Sequence, residues 1–186
     1  MILANVRLNW VKIALPDDKG NYGVTILVPK NSPAALQLLA ARDLAIKKGI
    51  ETKKFSKAQS MAATFKTGVR DGDEEAATEQ QPPYYKGHWF INASNASQPG
   101  VVDANNLPAN PNILYAGCVA HVDINVFPYF NQKENARGVT ASIENIMFRE
   151  DAERWDGRPT PKAATEAFAA FADSGEDTPD NDMFQA

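Results

Sequence analysis

Residues 115–127 (YAGCVAHVDINVF) hold the clearest two-residue alternation in the chain. Ala120, Val122, Ile124 and Val126 point one way. His121, Asp123, Asn125 and Phe127 point the other. A period of two over this length is a strand with one face in a core. A second long strand is expected over residues 139–149 (VTASIENIMFR), reached through a turn at Arg137-Gly138. Its alternation slips near Glu144–Asn145, which predicts a β-bulge.

The N-terminal part carries a hairpin. Residues 2–15 alternate through Val6, Leu8 and Trp10 against Arg7, Asn9 and Val11. PDDKGN (16–21) is a dense turn signal, and YGVTILV (22–28) is a β-branched strand ended by Pro29. A helix is predicted next. Asn31 or Ser32 caps it, Pro33 suits its first position, and Gly49 follows the Lys47–Lys48 end. Leu36, Leu39 and Ile46, with Leu38 beside them, supply its apolar stripe. A shorter helix is expected over 57–65. Residues 84–93 (YYKGHWFINA) read as a strand with His88, Phe90 and Asn92 on one face and Trp89 and Ile91 on the other. Residues 94–112 read as an Asn/Pro-rich loop, and 163–171 as a short helix.

About five strands with one main helix after the first hairpin predict a mainly β chain with α insertions. The expected form is a small barrel of antiparallel strands, of the oligonucleotide/oligosaccharide-binding (OB) kind. With 186 residues, one domain over 1–172 is expected, followed by an acidic tail over 173–186. The tail (DSGEDTPDNDMFQA) has five carboxylates, no base and one large aromatic, Phe184. Such a segment buries too little apolar surface to offset its ordering entropy, so it is expected to be mobile.

Charge decides what the body could bind. The net charge is −4, from 19 bases and 23 acids. Ten of those acids lie in two base-free segments, the tail and residues 71–83 (DGDEEAATEQQPP), both expected to be flexible. The rest is mildly basic, most densely over 42–70, with Arg42, Lys47, Lys48, Lys53, Lys54, Lys57, Lys66 and Arg70. Segregated charge says more about partners than the sum does. A lone cysteine, Cys118, leaves no disulfide framework and points to a reducing cytoplasm. No apolar run approaches the roughly 18 residues that span a bilayer, so no membrane is expected.

Catalytic signals are weak. P-loop, dinucleotide and nucleophile-elbow patterns are absent, so no cofactor is expected and the chain is read as no enzyme. Cys118 and His121 fall on opposite strand faces, against a zinc site. Asp123, Glu144, Asp151 and Glu153 lack the spacing of a two-metal nuclease, though a metal-dependent nuclease stays as one alternative. Core packing is the expected role of Trp10, Trp89 and Phe148. Phe127 and Tyr129 break the polar pattern of their own strand and lead into a turn carrying Lys133 and Arg137. Flat rings beside cations suit single-stranded nucleic acid, whose bases stack and whose phosphates need charge. The candidate contacts are Arg7, Lys12, Lys30, Lys86, Phe90, His121, Phe127, Tyr129, Arg137 and Arg149. An OB-fold module that binds a polypeptide is the other alternative.

Five stretches carry a family resemblance: VRLNW (6–10), YGVTILVPK (22–30), YYKGHWFINAS (84–94), ILYAGCVAHVDINVFPY (113–129) and NARGVTASIENIMFRED (135–151). Together they resemble the phage and prophage single-stranded-DNA-binding proteins, the T7-type group and its OB-fold relatives. The resemblance covers most of the chain. It implies sequence-independent binding of single-stranded DNA in replication, recombination and repair, and a homodimer. It also implies docking of the tail, here Asp177, Asp180, Asp182 and Phe184, onto a polymerase or helicase in the host cytoplasm. Arg7, Trp10 and Lys30 fall in the matching N-terminal stretches, Tyr115-Ala116-Gly117 and Gly138-Val139 in the C-terminal ones. One departure stands out: Gln185 and Ala186 follow Phe184, where related tails often end on the ring.

Overall fold

The computed structural model describes residues 1–158 and Phe168. The helix expected over 163–171, apart from that one position, and the tail at 173–186 lie outside the described residues, as does the domain boundary between them.

Seven strands are described: β1 (Ile2–Lys12), β2 (Tyr22–Pro29), β3 (Val69–Asp71), β4 (His88–Asn95), β5 (Gly100–Val102), β6 (Val119–Asn131) and β7 (Ala136–Glu150). Three helices join them: α1 (Pro33–Glu51), α2 (Lys57–Ser60) and α3 (Gly72–Ala77). The sheet runs β3-β4-β2-β1-β6-β7-β5, and an additional β4–β7 pairing closes it. Five strands therefore form a barrel in the circular order β1-β2-β4-β7-β6. All joints are antiparallel except β4–β7, which meet in parallel at Ala93 and Ala141. This mainly β, OB-type barrel is the fold the alternation predicts, with α1 between the second and third barrel strands.

Each barrel strand turns one apolar row inward. Leu3, Val6, Leu8, Ile26, Ile91, Val122, Ile124 and Ile143 are fully buried there. α1 closes one side with Ala34, Ala35 and Leu38. The Ser32 hydroxyl caps it, accepting from Ala35 N at 3.2 Å, and Pro33 opens it. β2 is buried on both faces. Val24, Ile26 and Val28 point inward, while Leu27 packs outside with Tyr85 and Phe90. The slip read near Glu144 is a bulge: Asp123 pairs with Asn145, but Ile124 pairs with Ile143.

The structure corrects several expectations. β1 carries register shifts between Leu3 and Val6 and between Asn9 and Lys12, with positive φ at Asn5 (53°) and Trp10 (46°). The second shift turns Trp10 out of the core, and it is 53% exposed. On α1 Ala34, Ala35 and Leu38 meet the barrel with Leu39 beside them, while Leu36 faces out at 72% exposure. The shorter helix spans only Lys57–Ser60. Residues 71–83 are not one loop. Asp71 caps α3 by accepting from Asp73 N at 2.8 Å, and the acids of the first turn suit the helix N-terminus. The loop read over 94–112 contains β5, which pairs in parallel with β7. Arg137 lies within β7, and the turn before it is 132–135.

Candidate nucleic-acid interface

The β6–β7 hairpin extends past the point where the barrel closes, and its two faces do different jobs. Val126 and Val139 pack against Ala45, Phe55 and Phe65. The Lys54 Nζ donates to the Pro128 carbonyl at 2.7 Å, tying the end of α1 to the hairpin. Phe127 and Tyr129 lie on the opposite face, across from Thr140 and Gly138.

Residues 65–68 run beside β7 and meet it in one parallel β-bridge, Lys66 to Gly138. Val139 N donates to the Lys66 carbonyl at 2.8 Å, and Lys66 N to the Arg137 carbonyl at 3.3 Å. The approach demands glycine. A Cβ on Gly138 would sit 2.1 Å from the Lys66 carbonyl oxygen, and one on Gly68, at φ +77°, 2.5 Å from that of Val139. The backbone of Lys66 is thus fixed while its side chain stays exposed.

Between this segment, the hairpin and β4 lies an open cleft of about 710 Å³, lined in part by Lys66, Arg70, Asn92, Tyr129 and Thr140. Asn92 stands on the outer face of β4, where its Oδ1 accepts from the Thr25 hydroxyl at 2.9 Å. Arg70 projects from β3 at the rim. Its guanidinium covers the Phe90 ring at 4.3 Å and stands 3.4 Å from Glu75. An OB barrel takes oligonucleotides across its second and third strands and the loops beside them. Those strands are β2 and β4 here, and the β6–β7 turn is one of those loops.

Of the residues predicted from sequence, only Tyr129 lines this cleft. Phe127, half-buried, is its neighbour on the same face. Arg137 lies on the other face, over the Phe130 ring at 5.1 Å and donating to Asn135 Oδ1. Phe90 does not reach the surface. It is fully buried beneath Arg70 and edge-on to Tyr85, because β4 buries an apolar residue on each face. Lys66, Arg70, Asn92 and Thr140 were missed. The basic run 42–70 was the signal for the first two, since α1 and the chain after it deliver that run to the hairpin.

The other predicted cations are dispersed. Arg7 Nε donates to the Gly117 carbonyl at 2.6 Å and Nη2 to the Glu153 carbonyl at 3.1 Å. Its guanidinium lies 4.5 Å from the Trp155 ring, and burial lowers its pKa. Lys30 Nζ bridges Asp71 and Asp73 at 2.5 Å each. Burial opposes its charge, but the two aspartates outweigh that and raise its pKa. Lys12 and Lys86 are exposed, without an ion pair among the described residues. His121 Nδ1 accepts from Asn5 N at 3.0 Å, and burial, then Arg149, lowers its pKa. It lies eight residues along β6 from Tyr129, about 26 Å of strand. Arg149 is exposed on a second bulge of β7.

Asp123, Glu144 and Asp151 bond separately to Asn145, Ser142 and Tyr115. Among the described residues no cluster of three His, Cys, Asp or Glu could hold a metal ion. Burial pushes the Cys118 thiol up to about 11. No described helix is long and apolar enough to cross a membrane.

Comparison with known proteins gives a consistent picture. The sequence profile of the family described as "Enterobacter phage Enc34, ssDNA-binding protein" matches residues 1–181. A putative protein, p50, of Acyrthosiphon pisum secondary endosymbiont phage 1 is 32% identical over 91 residues. That match spans 48% of this chain and 45% of the relative, under half its length. Among solved structures, the single-stranded DNA-binding protein from bacteriophage Enc34 aligns with TM-score 0.66 at 22% identity, covering 88% of each chain. The same protein in complex with ssDNA aligns at 0.65 and 21%, covering 83% of this chain and 88% of that one. Gp2.5 of bacteriophage T7, a single-stranded DNA-binding protein, aligns at 0.55 and 15%, covering 90% and 92%. At these identities the structures share the fold.

Proposed function

This chain belongs to the Enc34 phage ssDNA-binding protein family, and on that premise we propose that it binds single-stranded DNA without sequence preference and without catalysing a reaction. The observation that carries the reading is the cleft beside the β6–β7 hairpin. It sets the Tyr129 ring, the exposed Lys66 and the rim guanidinium of Arg70 around the outer face of β4. Bases stack on flat rings with little regard to sequence, while cations follow the phosphates. Phe127 extends the stacking surface, and Lys12, Lys86 and Arg149 serve as outlying phosphate contacts.

The finer roles rest on sequence and family. The protein acts in phage DNA replication, recombination and repair in the host cytoplasm, as a homodimer. The acidic segment 173–186 docks onto replication proteins such as a polymerase or helicase through Asp177, Asp180, Asp182 and Phe184. With DNA absent, the same carboxylates occupy the basic cleft, so the segment and the phosphates compete. Fluorescence anisotropy with single-stranded and duplex oligomers at two salt concentrations tests the binding. Deleting 173–186 is expected to tighten single-strand binding at low salt, and unchanged affinity there would remove the competition.

A further inference from the structure

A second cleft lies on the other face of the β6–β7 hairpin. It is open, about 570 Å³, and lies between the elbow that joins α1 to α2 and the hairpin. Lys53, Lys57, Phe130 and Arg137 line it, with Phe55 beneath. Phe130 is 44% exposed. Its ring carries the Arg137 guanidinium at 5.1 Å. The side-chain partner of Arg137 is the neutral Asn135, and Arg137 forms no ion pair among the described residues. Lys53 and Lys57 are exposed and have no ion pair among the described residues. Among the described residues no carboxylate lines the cleft.

The geometry is held. Lys53 takes a left-handed turn (φ 58°) after α1, where its N–H donates to the Ile50 carbonyl at 3.1 Å and that of Lys54 to Gly49 at 2.9 Å. The Lys54 ammonium then bonds the hairpin. The two clefts share one floor, because Phe55 and Phe65 pack edge to face at 4.9 Å, and Phe65 lines the first cleft while Phe55 lines the second. Tyr129 and Phe130 are consecutive on β6, so each cleft receives one ring from the same strand.

We infer that this second cleft is a further nucleotide-binding subsite, taking the same single strand after it passes the hairpin. Phe130 stacks a base, and Lys53, Lys57 and Arg137 take phosphates. The inference rests on the single-stranded DNA reading of the first cleft and lengthens the path the strand follows. A short oligomer fills the Tyr129 cleft alone, and a longer one reaches both.

The test uses the full chain with dT oligomers of about 6 and about 16 nucleotides, spanning the site sizes of OB folds. Phe130→Ala is expected to weaken binding of the longer oligomer at least about fivefold, the low end for one lost stack, and to leave the shorter one unmoved. Lys53→Gln with Lys57→Gln should flatten the salt slope of the longer oligomer alone by about 1.4, at about 0.7 per phosphate on a single strand. An unchanged Tm shows that the variants fold. If the wild type binds both oligomers and these variants bind the longer one as tightly, the second cleft is not a subsite. Equal losses on both lengths overturn the division of the strand between clefts. A wild type that binds neither oligomer removes the single-stranded DNA reading, and this inference with it.

Discussion

Trp155 lies flat on Tyr84, with ring centroids 4.2 Å apart and planes 11° from parallel. The Arg7 guanidinium also lies against the Trp155 ring. A residue from the segment after the last strand is thereby fastened to the outer side of the barrel, and Trp155 N donates to the Ala116 carbonyl at 3.0 Å. Arg7, which the sequence offers as a DNA contact, is occupied in holding this strap.

Trp155→Ala should therefore free residues 151–158. The stack is worth about 0.5–1.5 kcal/mol and the cation–π contact about 0.5–2 kcal/mol. Limited proteolysis is expected to cut the variant after Arg154 faster than the parent, with a loss of a few degrees in Tm. Equal cleavage rates would show that the strap is held by its backbone bonds alone.

Tyr129→Ala should weaken binding to dT oligomers by about 1–3 kcal/mol, or about 5- to 150-fold, with Tm unchanged. Tyr129→Phe should keep most of the affinity, since the ring does the stacking. Lys66→Gln should flatten the salt slope by about 0.7. A Tyr129→Ala protein that binds as the parent does would move this ring out of the interface.

Gly138→Ala is a stability test. The added methyl meets the Lys66 carbonyl, a backbone atom that cannot rotate away. Overpacking of this kind costs about 1–3 kcal/mol, and each kcal/mol lowers Tm by about 2–4 °C at this size. Calorimetry should show that fall, and weaker DNA binding should accompany it because Lys66 is displaced. A Tm within a degree of the parent would mean that residues 65–68 lift off β7 at no cost.

Tyr115 supplies a pH signature. Its hydroxyl donates to Asp151 Oδ1 at 2.7 Å and accepts from Ala152 N at 3.0 Å. Burial, then Asp151, pushes the phenol up to about 12. The unfolded chain's tyrosines ionise near 10. The folded state thus favours the protonated phenol, and its contribution is complete below about pH 10 and lost as pH rises towards 12. Ultraviolet titration should find Tyr115 among the last of the five tyrosines to ionise, and Tyr115→Phe should remove that late step. Ionisation of every tyrosine near 10 would contradict the buried bond.

Much of the barrel was legible because period-two patterns survive in β6 and β7, down to the bulge at Glu144. The Ser32–Pro33 cap was equally readable, since both residues act locally. The failures share a limit: alternation is local and cannot say what the rest of the chain brings against a residue. Phe90 looked like the apolar member of a polar face, yet Leu27, Tyr85 and Arg70 cover it. Trp10 looked buried until a bulge shifted its parity. β5 is three residues long and pairs in parallel with a distant strand, so no local pattern marks it. Lys30 was read as a DNA contact, and its ion pairs were not legible because Asp71 and Asp73 stand some forty positions away in a segment read as flexible. Tyr129 was visible as an aromatic out of pattern. Lys66 and Arg70 needed the tertiary path of residues 52–70.

The barrel closes by joining residues remote along the chain: Leu3 beside Val122, and Ala93 beside Ala141. The β6–β7 hairpin needs only a four-residue turn between Asn131 and Ala136. From loop-closure entropy the hairpin is expected to form early and β1 to seat on β6 late. Refolding is expected on the millisecond-to-second scale of non-local β topologies. The β6–β7 hairpin would then stand formed, and exposed, before the barrel beneath it has shut.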